Sequence, residues 1–174
     1  MSTSFKSTFM QADAPPPAKE LMPGDVALAT KGEQLKTLLG SCVSVILTDP
    51  RRTVAAMSHI VHVGRPNASN QSNAAYGTVA MQQMFGMLRA KGVNPAMCEA
   101  YVFGGGNMFP QIFNAKNVGT SNAQWVLDYL QEQGIVVVEQ ELGGTGYRKI
   151  SWTVGAQEPL VETVFAGQGV THGC

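Results

Sequence analysis

Residues 37–50 read TLLGSCVSVILTDP, and residues 53–64 continue TVAAMSHIVHVG. Val43 to Thr48 is dense in β-branched and aliphatic residues, and Thr53 to Val61 is apolar again, so both runs read as strands. Between them Asp49-Pro50-Arg51-Arg52 is a polar break carrying a proline. Folding the chain as an antiparallel hairpin about that break sets Thr48 opposite Thr53, Ile46 opposite Ala55 and Cys42 opposite His59. Directly opposed residues in such a pair have Cβ atoms roughly 4.5–5.5 Å apart. A thiol and an imidazole then meet at the open end of a rigid hairpin. An imidazole in that place can take the thiol proton and leave the thiolate, the nucleophilic form. A lone cysteine in an apolar strand is ordinarily a small buried hydrophobe, and a lone histidine a satisfied polar group. The register is what lifts this pair above that reading. A bulge or a one-residue slip would send the two side chains to opposite faces.

Upstream, Asp25 to Thr30 predicts a first strand, and residues 1–22, with Pro15-Pro16-Pro17, read as a flexible tail. Downstream, the polar loop Arg65 to Asn73 ends in Ser72 or Asn73, either of which can cap a helix. Tyr76, Val79, Ala80, Met84, Met87 and Leu88 recur at helical spacing, and Gly92 stops the run. The methionines there read as core packing against a sheet. Cys98 to Phe103 predicts a short strand leading into Gly104-Gly105-Gly106-Asn107. That run lacks either nucleotide-binding glycine spacing and reads as a tight turn beside a pocket.

Thr120 or Ser121 can cap a second helix with apolar stripe Ala123, Val126, Leu127 and Leu130, ended by Gly134. Ile135 to Val138 predicts a buried strand. Arg148 to Val154 and Leu160 to Phe165 predict a final hairpin, after a turn at Gly143-Gly144-Thr145-Gly146. The order argues for an α/β (α+β) single-domain layered sandwich, a mixed β-sheet with two main helices packed on one face. The domain is expected over residues 23–168, followed by a C-terminal tail over 169–174.

Lysine plus arginine equals aspartate plus glutamate, at 12 each, so no basic excess points to nucleic acid or an anionic membrane surface. Charged residues are 14% of the chain, which favours partners recognised by shape and apolar contact. Cys42, Cys98 and Cys174 are too few and too widely spaced for a disulfide framework, and no Cys/His cluster suggests zinc. His59, His62 and His172 are likewise too dispersed for a metal set. A reducing cytoplasm is the expected location. No apolar run is long enough to span a bilayer, and no secretory leader is expected.

Thr37-Leu38-Leu39-Gly40-Ser41-Cys42-Val43 resembles the LGSC signature of the CheD family, the chemoreceptor glutamine deamidases of bacterial and archaeal chemotaxis. Met57-Ser58-His59 resembles the stretch that supplies that family's histidine. Further matches follow in family order: Tyr76, Phe103-Gly104-Gly105-Gly106-Asn107-Met108-Phe109, Val118-Gly119 with Asn122, and Gly143-Gly144 followed by Arg148. Together they cover about residues 25 to 155. The chain departs from the pattern at Ile60-Val61-His62-Val63-Gly64-Arg65-Pro66, which replaces a short apolar run ending in Leu-Pro. That makes His62 a rival base, although three residues on from His59 it falls on the other face of a regular strand.

The resemblance implies a CheD-like cysteine amidohydrolase fold and a catalytic set of Cys42, His59 and Thr37, with no metal or organic cofactor. It implies hydrolysis of receptor glutamines to glutamate and ammonia through a Cys42 thioester. The partners it implies are methyl-accepting chemotaxis receptors and a CheC-type phosphatase. In that mechanism the Cys42 N–H is the natural first oxyanion donor, aimed by a turn at Gly40 and Ser41. The pair either transfers a proton on attack or rests as thiolate and imidazolium. The same thiolate would also serve a cysteine peptidase or a transglutaminase-like acyltransferase. A non-catalytic adaptor of the phosphatase would leave Cys42 merely buried.

Overall fold

The computed structural model describes residue 14, residues 17–112 and residues 118–165. Nine strands and two α-helices are assigned among them, with a short 3₁₀ turn at Pro95–Met97. The strands are β1 Lys19–Leu21, β2 Val26–Thr30, β3 Gln34–Leu39, β4 Val43–Thr48 and β5 Val54–Ser58, then β6 Glu99–Gly104, β7 Val136–Leu142, β8 Gly146–Thr153 and β9 Leu160–Phe165. The helices are α1 Gly77–Ala90 and α2 Val118–Glu132. The α+β sandwich expected from the sequence is present, but it holds two sheets where one was expected. Four strands run in the order β1-β3-β8-β9 and five in the order β2-β5-β4-β6-β7.

Alternation along β4 and β6 explains the layers. Val43, Val45 and Leu47 join Ala100 and Val102 in a core shared with Met81, Met84 and Leu88 of α1 and Val126 and Leu130 of α2. Ile46, Tyr101 and Phe103 point the other way, into a second core with Leu35, Leu39, Ile150 and Trp152 of the four-stranded sheet. The central sheet is thus covered on both faces, and all six β4 side chains are buried. Continuous burial is what its unbroken apolar run requires.

The β4–β5 hairpin forms, with a register two residues away from the expected one. Ile46 faces Met57 and Thr48 faces Ala55. The turn is longer because the Asp49 carboxylate accepts from the backbone N–H groups of Thr53 and Val54 at 2.7 and 2.9 Å. Arg52, at φ 54°, takes the left-handed position that closes it. Val54 pairs with Thr30 of β2. A two-residue shift keeps every side chain on its face, so Cys42 and His59 still share one side although they are not directly opposed.

Other boundaries moved for local reasons. The segment read as tail contributes β1, whose Leu21 is buried beside Thr37 in a parallel pairing with β3. Residues 1–13, 15 and 16 lie outside the described residues, as do the tail at 169–174 and Cys174. Helix α1 has Tyr76 at its N-cap with no side-chain cap, because Asn73 turns its carboxamide onto the N–H of Ala75 instead. Helix α2 is already running at Val118, so Thr120 and Ser121 sit within its first turn rather than capping it. Strand β7 is an exposed edge, with Val136 65% accessible, where a buried strand was expected. Among the described residues it pairs with β6 alone.

Candidate active site

The run 37–48 is not one strand. It breaks at Gly40-Ser41-Cys42, where the chain leaves β3 in one sheet and enters β4 in the other. Cys42 therefore sits on a crossing between sheets, half-buried, while Val43 behind it exchanges both backbone hydrogen bonds with Ile60. His59 follows directly on β5. Its N–H donates to Asp25 O at 3.0 Å and its carbonyl accepts from Gly24 N at 2.9 Å. Cys42 and His59 line one cleft of about 500 Å³, together with Gly40, Ser41, Leu38, Met22, Met108, Phe109 and Tyr147.

Thr37 projects from β3 into the same interior as Leu35 and Leu39, following the alternation of the strand. Its Oγ1 lies 2.8 Å from His59 Nδ1 and donates to the Leu21 carbonyl at 2.9 Å. A hydroxyl has one proton, and a carbonyl can only accept. The Thr37 proton is therefore committed to Leu21, and His59 Nδ1–H must donate to Thr37. That fixes the neutral tautomer and leaves Nε2 with its lone pair. Both Thr37 and His59 are 3% exposed, so the contact is shielded from water.

Burial sets the resting charge. It pushes the His59 imidazole below its ordinary value of 6.5, against the opposing pull of the Leu21 carbonyl and Asp25. It pushes the Cys42 thiol up. Both directions favour neutral forms, so of the two resting states open from the sequence, neutral thiol beside neutral imidazole is preferred. Proton transfer then accompanies attack.

The loop before Cys42 is held by its carbonyls. Gly106 N donates to Gly40 O, Gly105 N to Cys42 O, each at 2.9 Å, and Asn122 Nδ2 to Ser41 O at 3.3 Å. Among the described residues the N–H groups of Ser41 and Cys42 have no acceptor. The glycine run is the tight turn expected beside a pocket, and its purpose is close approach. A Cβ on Gly104 would stand 2.2 Å from Cys42 O, and Gly104 has a φ of 111° that L side chains rarely adopt. Arg148, buried, ties the same turn by donating from Nη1 to Gly104 O at 3.2 Å and from Nε to Glu141 at 3.1 Å.

His62 does not line the cleft that holds Cys42 and His59. Its ring lies tilted against Tyr76 at 4.9 Å between centroids and borders a different hollow with Val118 and Ser121. The sequence reading placed Cys42, His59, Thr37, Gly40 and Ser41 here, and the structure brings all five together. It did not anticipate the Leu21 carbonyl, because any residue carries one. Asn122 and Arg148 were noted only as matches. Each did leave a signal: a polar residue in the apolar stripe of a helix, and a cation at an inward position of a strand that reads Gly146, Arg148, Ile150, Trp152.

Residues 62–163 match the family model described as CheD chemotactic sensory transduction, a span that begins just after His59. A probable chemoreceptor glutamine deamidase of Albidiferax ferrireducens is 39% identical over 138 residues, covering 77% of this chain and 80% of its own. One from Shewanella oneidensis is 35% identical, covering 76% and 66%, and one from Pseudomonas syringae is 33% identical, covering 75% of each chain. A solved structure, the Bacillus licheniformis hypothetical protein YfiH, aligns over 74% of this chain and 60% of its own at TM-score 0.43 and 15% identity.

Proposed function

This chain belongs to the CheD family, and on that premise we propose that it is a chemoreceptor glutamine deamidase with Cys42 as nucleophile, His59 as base and Thr37 as the group that orients His59. The observation that supports this most is the chain of hydrogen bonds from Leu21 O through Thr37 Oγ1 to His59 Nδ1, beside a thiol in one cleft. It presents Nε2 as a proton acceptor, which is what thiol activation needs.

His59 Nε2 takes the Cys42 proton as sulfur bonds to the side-chain amide carbon of a substrate glutamine. The amide oxygen becomes an oxyanion, and the N–H groups of Ser41 and Cys42 are its donors. The imidazolium returns the proton to nitrogen, the carbon–nitrogen bond breaks and ammonia leaves, forming a thioester. Water then gives its proton to His59 and adds hydroxide to that carbon. The carbon–sulfur bond breaks, Cys42 recovers its proton and the side chain is glutamate.

The cleft mouth suits a protein helix. Met22, Leu38 and Phe109 are each more than half exposed around it, and Glu20 is the one charged residue lining it among the described residues. The working unit is proposed to span residues 23–168 together with β1. No helix among the described residues is long and apolar enough to cross a membrane. Action in the cytoplasm is proposed because Cys42 must stay a free thiol. A CheC-type phosphatase is a further proposed partner, on family grounds.

The test is to incubate the protein with a chemoreceptor cytoplasmic fragment and follow both ammonia and the fragment's peptide map. The expected result is ammonia release with conversion of specific glutamines to glutamate, about 1 Da heavier per site, on an uncut backbone. Cleaved backbone would make it a peptidase, and neither product would remove the reading.

A further inference from the structure

Asn122 stands on the buried face of α2 with Gly119, Ala123 and Val126, and is 2% exposed. A carboxamide so placed must find partners or destabilise the fold. Its Nδ2 donates to Val61 O at 3.0 Å and to Ser41 O at 3.3 Å. The opposite flip would set the amide oxygen against two carbonyls, so the assignment follows from chemistry. Both amide protons go to the two segments that carry the reacting groups. Ser41 immediately precedes Cys42, and Val61 follows His59 by two residues.

The geometry of the peptide bond gives this a consequence. Ser41 C=O and Cys42 N–H belong to one planar unit, and in a trans peptide they point in opposite directions. No cis peptide occurs among the described residues. Holding Ser41 O toward α2 therefore turns the Cys42 N–H away from α2, where it has no acceptor among the described residues. Main-chain N–H groups of the glycine turn hold the flanking carbonyls of Gly40 and Cys42. Asn122 is the one side chain among the described residues that hydrogen-bonds to the main chain of Gly40, Ser41 or Cys42. Its second bond, to Val61, stops the carboxamide from rotating.

We propose that Asn122 is a positioning residue which presets the Cys42 N–H as an oxyanion donor by gripping the Ser41 carbonyl behind it. It touches no reacting atom. The proposal rests on the deamidase reading above, since it needs a step that forms an oxyanion.

The test compares wild type with Asn122→Ala and Asn122→Ser on a chemoreceptor fragment, alongside alkylation of Cys42 by iodoacetamide across pH. Alkylation is a displacement at an sp³ carbon and forms no oxyanion, so it reads the thiol and the fold without the donor. Asn122→Ala is expected to lower kcat about 100-fold with KM within about threefold, as for loss of one oxyanion donor. Its alkylation rate and pH profile should stay within about twofold of wild type, because Cys42 and His59 are untouched. Asn122→Ser keeps one donor and should fall between, and it carries the same comparison should the alanine variant fail to fold. An unchanged kcat overturns the proposal, as does alkylation that falls in step with kcat. A wild type that leaves the fragment unaltered while alkylating normally removes the deamidase reading and the proposal with it. An active wild type with an equally active variant removes the proposal alone.

Discussion

The two ends of the β4–β5 hairpin are made of the same strands and are finished in opposite ways. At the turn end every polar group named here is engaged. Asp49 accepts from Thr53 N, Thr53 Oγ1 and Val54 N, and Arg52 donates to Glu158, which Tyr101 also contacts through its hydroxyl. At the open end the carbonyls before Cys42 are all held, while among the described residues the Ser41 and Cys42 N–H groups and His59 Nε2 have no hydrogen-bond partner. A hairpin closed only for stability would satisfy both ends. The contrast teaches that reactivity here is donor and acceptor capacity withheld from the fold.

Changes at the two ends should therefore separate activity from stability. The largest expected effect is at the open end. His59→Gln removes the base and should lower kcat on a receptor fragment by about 10³-fold, with a melting curve close to wild type. Thr37→Val comes next. It leaves Nδ1–H and Leu21 O without their buried partner, and should cost about 1–3 kcal/mol of stability by denaturant titration. It should also lower kcat about tenfold, since a freed ring samples the wrong tautomer. Thr37→Ser should restore both.

At the turn end the pattern should reverse. Asp49→Ala should cost about 1–3 kcal/mol with kcat within about twofold of wild type. Equal loss of activity there would break the comparison. The smallest effect is expected at Ser58, whose buried Oγ has no partner among the described residues. Ser58→Ala should leave stability unchanged or raise it by about 1 kcal/mol at most, because it removes an unmet hydroxyl.

The two ends should also part along pH. Burial keeps the His59 pKa below its ordinary 6.5 in the fold, so the unfolded chain binds that proton first. Stability from His59 is full above 6.5 and falls as pH drops from there toward the lowered value. The acid limb of kcat/KM should likewise lie below 6.5. Asp49 behaves as an ordinary structural carboxylate. Burial opposes its charge, but the hydrogen bonds from Val54 and Thr53 outweigh it and lower its pKa below 3.8. Its stabilisation is full above 3.8 and is lost only as pH falls through the lowered value. Unfolding curves of wild type and His59→Gln should thus diverge between pH 6.5 and the lowered His59 value, and run parallel above 6.5.

What the sequence made legible follows the same division. Continuous apolar runs placed β4 and β5, and because strand side chains alternate between faces, a face survives a two-residue error in register. The turn length did not follow from composition, because Asp49 capping Val54 and the left-handed Arg52 are choices of backbone geometry. A turn at Gly40 and Ser41 was legible, but nothing in the hydropathy of Thr37 to Val43 marks a change of sheet there. The glycine turn at Gly104-Gly105-Gly106, distant in sequence, holds the crossing. Leu21 looked like the end of a tail since a three-residue strand has no period to detect.

The central claim is that Cys42, driven by His59, attacks a glutamine side chain. The direct measurement is the intact mass of the protein, acid-quenched during turnover of a receptor fragment, for wild type and Cys42→Ala. The expected result is a wild-type adduct at Cys42 equal to the substrate less one ammonia, with fragment mass rising about 1 Da per site, and neither in the variant. Deamidation of the fragment by Cys42→Ala at the wild-type rate would contradict it.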